Sequence, residues 1–127
     1  MEQEIISKIW QLHGALSVAT PGLLIFNNGK ASFVTEQGEQ FNVPVSEIKE
    51  VKWPFLQFGL GFNATVNGTK YKFTFMKPNT APELNDSTLG TIARFTSIGR
   101  GMEAFATLGK WGDNKKSAKQ WKALLGR

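Results

Sequence analysis

The chain has 127 residues, 41% hydrophobic and 20% charged, with a net charge of +5. That length suits one domain with a real core, and the composition is that of a globular protein rather than a disordered one. The absence of cysteine excludes disulfide staples, thiolate metal sites and cysteine nucleophiles together.

Ile5, Ile6, Ile9 and Leu12 recur at helical spacing among Glu2, Glu4, Lys8 and Gln11, and Gly14 is a natural stop. The pattern predicts an amphipathic helix over residues 1–14, its acidic start matched to the positive end of the helix dipole. This stretch has no continuous apolar run of signal-peptide type. Nowhere does the chain approach the ~20 apolar residues of a membrane span, so a cytoplasmic location is expected.

From Ala15 to Met76, short runs rich in Val, Ile, Phe and Thr alternate with turn signals, the texture of an antiparallel meander. Seven strands are predicted: Ala15–Thr20, Leu23–Phe26, Ala31–Thr35, Gln40–Val43, Lys49–Trp53, Gly61–Val66 and Lys70–Met76. Turns are expected at Pro21-Gly22, Asn27-Asn28-Gly29, Glu36-Gln37-Gly38 and Asn67-Gly68. Asn67-Gly68 is the strongest hairpin signal, because both residues accept the positive φ of a type I′ turn. In the strand after it, Tyr71, Phe73 and Phe75 alternate with Lys70, Lys72 and Thr74, giving one core face and one wet face.

Residues 77–88 read as a connection. Beyond it, Leu89, Ile92, Phe95 (or Thr96), Ile98, Met102, Phe105 and Leu108 recur every three or four residues, which predicts helix. Each interior glycine costs about 1 kcal/mol relative to Ala, so a break is expected near Gly99–Gly101. A last amphipathic helix starts at Asp113 or Asn114 and runs through Ala118, Trp121, Leu124 and Leu125. The helical region thus spans 84–127. Charge follows the same division, with +1 over residues 1–78 and +4 over residues 79–127.

The run Gly22-Leu-Leu-Ile-Phe-Asn-Asn-Gly-Lys-Ala-Ser-Phe-Val-Thr35, followed by Val43-Pro44-Val45-Ser46-Glu47-Ile48-Lys49-Glu50-Val51, resembles the pleckstrin-homology (PH) superfold, particularly its GRAM and bacterial PH branches. There a G-x-L strand and hairpin lead to an I-P-x-x-D-I-x-x-V segment. Physically, the proline ends a strand, Ser-Glu starts a turn, and Ile48 and Val51 anchor the next strand. The resemblance covers residues 15–76 and a terminal helix. It implies a single mainly β domain of the α+β class over residues 1–127: a curled antiparallel sandwich or barrel of about seven strands with a C-terminal helix plugging one open end. The segment around Met102–Leu108 or that around Trp121–Leu125 could be the plug. An N-terminal helix and extra C-terminal helices would be departures from the family. So is the loop Ala19-Thr20-Pro21-Gly22, which has none of the basic residues with which phosphoinositide-binding members grip clustered phosphates. The next turn offers only Lys30, and usual phosphoinositide recognition is not expected.

Catalytic residues are scarce. His13 is the only histidine, and Asp86 and Asp113 fall in connections or caps; no triad or metal-ligand spacing emerges, and no enzyme activity, metal or cofactor is expected. The string GLGF within Phe58–Phe62 is similar to the carboxylate-binding loop of PDZ domains, but its glycines more simply permit a bend in the sheet.

Two surfaces remain. Trp53, Phe55 and Phe58 form an aromatic segment that either packs or is an interaction loop. Lys115, Lys116, Lys119 and Lys122, with Arg127, form a basic helix face that is either solvated or contacts an anionic surface. The first expectation is a non-enzymatic interaction module that binds a protein partner or, weakly, an anionic membrane. The alternative is a carrier enclosing a lipid or small molecule in an apolar cavity. Nucleic acid is not expected, since no RNP-type aromatic string appears.

Overall fold

The computed structural model describes residues 5–13, 19–53, 61–76, 86–93 and 114–125. In chain order the elements are β1 (Ile5–Leu12), β2 (Ala19–Asn27), β3 (Lys30–Thr35), β4 (Gly38–Pro44), a 3-10 turn (Val45–Glu47), β5 (Lys49–Lys52), β6 (Gly61–Val66), β7 (Thr69–Thr74), α1 (Asp86–Ala93) and α2 (Asn114–Leu125). Two Asn-Gly pairs build the β2–β3 and β6–β7 hairpins. Asn28 and Gly29 have φ of 55° and 78°, and Asn67 and Gly68 have 53° and 79°. Positive φ at both central residues marks the turn whose twist matches that of the strands it joins.

Residues 5–12 form a strand, not a helix. Ile5, Ile6 and Ile9 are β-branched and favour a pleated backbone, and the stretch is buried on both sides. Ile5, Ser7 and Ile9 alternate with Ile6 and Trp10, and all five are buried. A strand covered on two faces loses the polar alternation that would betray it, and its apolar spacing then imitates a helix.

β1 pairs with β2 along its whole length, from Ile5↔Phe26 to Leu12↔Ala19. This partner also corrects the expected turn at Pro21-Gly22, which lies inside β2 opposite Trp10 and Ile9. The β2–β3 ladder starts only at Leu23↔Val34, so Pro21 stands where β2 has an open side and a proline is tolerated. The predicted strands at Ala15–Thr20 and Leu23–Phe26 therefore belong, in their described part, to one strand; residues 14–18 lie outside the described ones.

All strand pairs are antiparallel, in the order β4-β3-β2-β1-β7-β6-β5. This is a meander in which the first strand also pairs with the last, leaving a seam between β4 and β5. The sheet is curled. At ~4.8 Å per strand, a flat sheet would hold β3 about 14 Å from β7 and β4 about 19 Å from it. Instead the rings of Phe33 and Phe73 lie 4.9 Å apart and those of Phe41 and Tyr71 lie 5.2 Å apart. Inward residues of both halves, among them Leu24, Phe33 and Phe41 with Val51, Phe62 and Phe73, form one cluster.

The segment after Pro44 behaves as its chemistry dictates. Pro44 closes β4, the 3-10 turn follows, and the amides of Val45 and Ile48 donate to Gly29 O and Val45 O. Ile48 and Val51 are buried in the same cluster. In α1, Thr88 and Ile92, one turn apart, are buried. The expected break at Gly99–Gly101 and the candidate plug Met102–Leu108 lie outside the described residues.

Candidate interaction surface

α2 is the terminal helix that enters the core. Ala118 and Trp121 belong to the central cluster, with Leu124 and Leu125 packed against it. Trp121 is fully buried, meets the ring of Phe26 edge-on at 6.5 Å, and donates its indole N–H to Ser7 Oγ at 3.0 Å. A tryptophan can be buried so deeply because its one polar atom finds a partner there.

With that side fixed, Lys119 and Lys122 are exposed. Lys115 and Lys116 stand in the first helical turn, with side chains outside the described ones, and Arg127 is likewise outside. The spacing i, i+4, i+7 places positions 115, 119 and 122 on one face of the helix.

Of the aromatic segment, only Trp53 is described; Phe55 and Phe58 lie outside the described residues. Trp53 is packed against the core rather than presented as a free ring. It lies 5.0 Å from Phe62, stacks on Phe75 at 6.5 Å, and carries Lys122 Nζ 5.8 Å from its ring centroid. Its indole N–H is buried without a hydrogen-bond partner. Gly61 and Phe62, the end of the GLGF string, open β6, and Phe62 is a core residue.

The outer face of β5, β6 and β7 holds lysines that sequence reasoning did not assemble into a site. Lys52 pairs with Asn63, which pairs with Lys72; Lys49 pairs with Thr65, which pairs with Lys70. All four lysines are exposed. A bulge brings the β5 lysines to this side: three residue steps from Lys49 to Lys52 span two steps of β6, and Glu50 takes a φ of 54°. The extra residue lets Val51 point into the core while Lys49 and Lys52 both face outward. The outward phase of Lys70 and Lys72 was legible from alternation. Their meeting with Lys49 and Lys52 required the strand pairing and the bulge.

His13 Nε2 lies 2.6 Å from Thr20 Oγ1 at an exposed position. Among the described residues, no group of three or more His, Cys, Asp or Glu could hold a metal ion, and no helix is long and apolar enough to cross a membrane. The phenol of Tyr71 is held above its ordinary pKa by partial burial. Comparison of the chain with protein-family models, curated proteins and solved structures finds no match.

Proposed function

We propose that this chain is a PH-like, non-enzymatic interaction module that engages an acidic protein surface or, weakly, an anionic membrane through the lysine face of α2. Support for the PH-like part comes from the meander, the seam between β4 and β5, and a terminal helix seated in the core. The observation that carries the functional part is the anchoring of Trp121, which is fully buried and bonded to Ser7. A helix pinned on one side presents Lys119 and Lys122 without having to order itself on binding, which lowers the entropic cost of association.

The carrier alternative has less support, because the interior among the described residues is occupied by rings. Phe33, Phe41, Phe62, Tyr71 and Phe73 form a chain of contacts with centroids 4.9 to 6.4 Å apart. The aromatic-loop route is also weakened, since Trp53 is committed to Phe62 and Phe75.

The test is binding of the whole chain, at low and high salt, to polyglutamate, to phosphatidylserine vesicles and to phosphatidylcholine vesicles. Salt-sensitive binding to one of the acidic probes, reduced in K119E/K122E, is expected. Absence of binding to both acidic probes at low salt would overturn the proposal.

A further inference from the structure

The geometry points to the outer face of β5–β7 as a sequence-independent contact for the sugar–phosphate backbone of a duplex nucleic acid, a partner that the lack of an RNP-type aromatic string argued against but whose backbone needs no such string. Lys49 and Lys52 on β5 and Lys70 and Lys72 on β7 flank β6, whose outward residues between them are Asn63 and Thr65. The lysine-bearing strands are two strand spacings apart, about 10 Å, and Lys70 and Lys72 are separated by one two-residue repeat of about 7 Å. The result is two basic rails beside a polar floor.

Three features select a linear polyanion. First, the four positions are spread along two lines and do not converge, so they suit repeated charges better than one phosphate cluster. Second, Tyr71, Phe73 and Phe62 all belong to the inner cluster or pack against it. Among the described residues the face therefore has no ring on which an unpaired base could stack, and it favours the backbone of a duplex over a single strand. Third, the floor between the rails is the Asn63 amide, whose Oδ1 is buried without a hydrogen-bond partner, and the Thr65 hydroxyl, and the described residues place no apolar side chain there to bury below lipid headgroups. Met76, the exposed large hydrophobic residue among the described ones, follows β7 beyond this rectangle.

One carboxylate opposes the lysines. Glu50 is the only acid on β5, β6 or β7; it is exposed on the β5 rail, where its Oε1 accepts from Thr65 Oγ1 at 2.6 Å. Its carboxylate thus reaches the floor at the Lys49–Thr65–Lys70 end and lowers the charge of the face there, while Lys52 and Lys72 flank Asn63 at the other end. This contact uses a different surface from the lysine face of α2, so the two can fail independently.

The experiment is fluorescence anisotropy of a short labelled duplex DNA titrated with the whole chain between about 50 and 200 mM salt. Wild type should bind with a log–log salt slope of about −2.7 to −3.6, as expected for three or four neutralised phosphates at about −0.9 each. K70E/K72E should weaken binding by about tenfold or more, and E50Q should tighten it. K119E/K122E should have a smaller effect than K70E/K72E. Circular dichroism checks that each variant folds, and K70Q/K72Q replaces the reversal if it does not. The proposal is overturned if wild type fails to bind DNA at the lowest salt, or if folded K70E/K72E (or K70Q/K72Q in its place) binds like wild type. It is equally overturned if the face binds phosphatidylserine vesicles and not DNA, which would assign it to a membrane.

Discussion

The indole nitrogen of Trp121 donates to the hydroxyl of Ser7 at 3.0 Å, a buried hydrogen bond between residues 114 positions apart. It joins the first strand to the last helix, and so ties the closure of the sheet to the placement of the lysines on α2. Losing the acceptor would leave a buried donor unsatisfied, which costs about 1–3 kcal/mol. Ser7→Ala should therefore destabilise the protein by that amount in urea denaturation. In the Ser7→Ala background, Trp121→Phe should cost less than it does alone, because the orphaned donor leaves with the indole. A neutral Ser7→Ala would show that the bond does not hold the helix.

Gly22 should not tolerate a side chain. A Cβ there would meet Val34 O at 2.6 Å and Phe33 Cε1 at 2.8 Å. The first of these is backbone and the second belongs to a fully buried ring, so neither yields cheaply. Gly22→Ala should cost about 1–3 kcal/mol, as overpacking does, read as a lowered midpoint of thermal unfolding. An unchanged midpoint would mean that β2 and β3 separate more readily than their packing implies.

At Gly68 the penalty has another origin. Its φ is 79°, yet a Cβ would find nothing within 4 Å. Gly68→Ala should cost about 1 kcal/mol from backbone conformation alone, and Gly68→Asn should recover part of this because asparagine accepts the left-handed region. Equal stability of all three chains in chemical denaturation would contradict the turn geometry.

Tyr71 provides a pH prediction. It is the only tyrosine, so phenolate absorbance reports it alone. Partial burial raises its pKa; the folded state then holds the phenolic proton more tightly than the unfolded state. That contribution is fully present below the unfolded pKa of about 10 and is lost as pH rises through the folded value. The titration midpoint of the native protein should lie above that of the urea-unfolded chain, and stability should decline with increasing alkalinity. A native midpoint at or below the unfolded one would refute the assignment.

Local chemistry was sufficient for much of this architecture. Asn28-Gly29 and Asn67-Gly68 declare their turns because few other residues accept positive φ twice in succession. Tyr71 and Phe73 alternate with the exposed Lys70 and Lys72 because this part of β7 has one wet face, whereas Thr74, in phase with the lysines, is buried. Ala118, Trp121, Leu124 and Leu125 mark the inner side of α2 at helical spacing. The sequence by itself thus determined a meander with two tight hairpins, a mainly β domain and a terminal amphipathic helix.

Tertiary structure decided the rest, where burial or pairing overrides local pattern. Residues 5–12 are a strand because both of their faces are covered, which no amphipathic template represents. Pro21 lies within β2 because the β3 ladder ends at Leu23, a fact of register and not of composition. Trp53 packs on Phe62 and Phe75, which decides between the packed and exposed readings that its sequence left open. The four lysines of β5 and β7 meet across β6 only because a bulge at Glu50 resets the phase of β5. The single polar atom of Trp121 found its partner at the opposite end of the chain, through a contact that exists only once the sheet has curled.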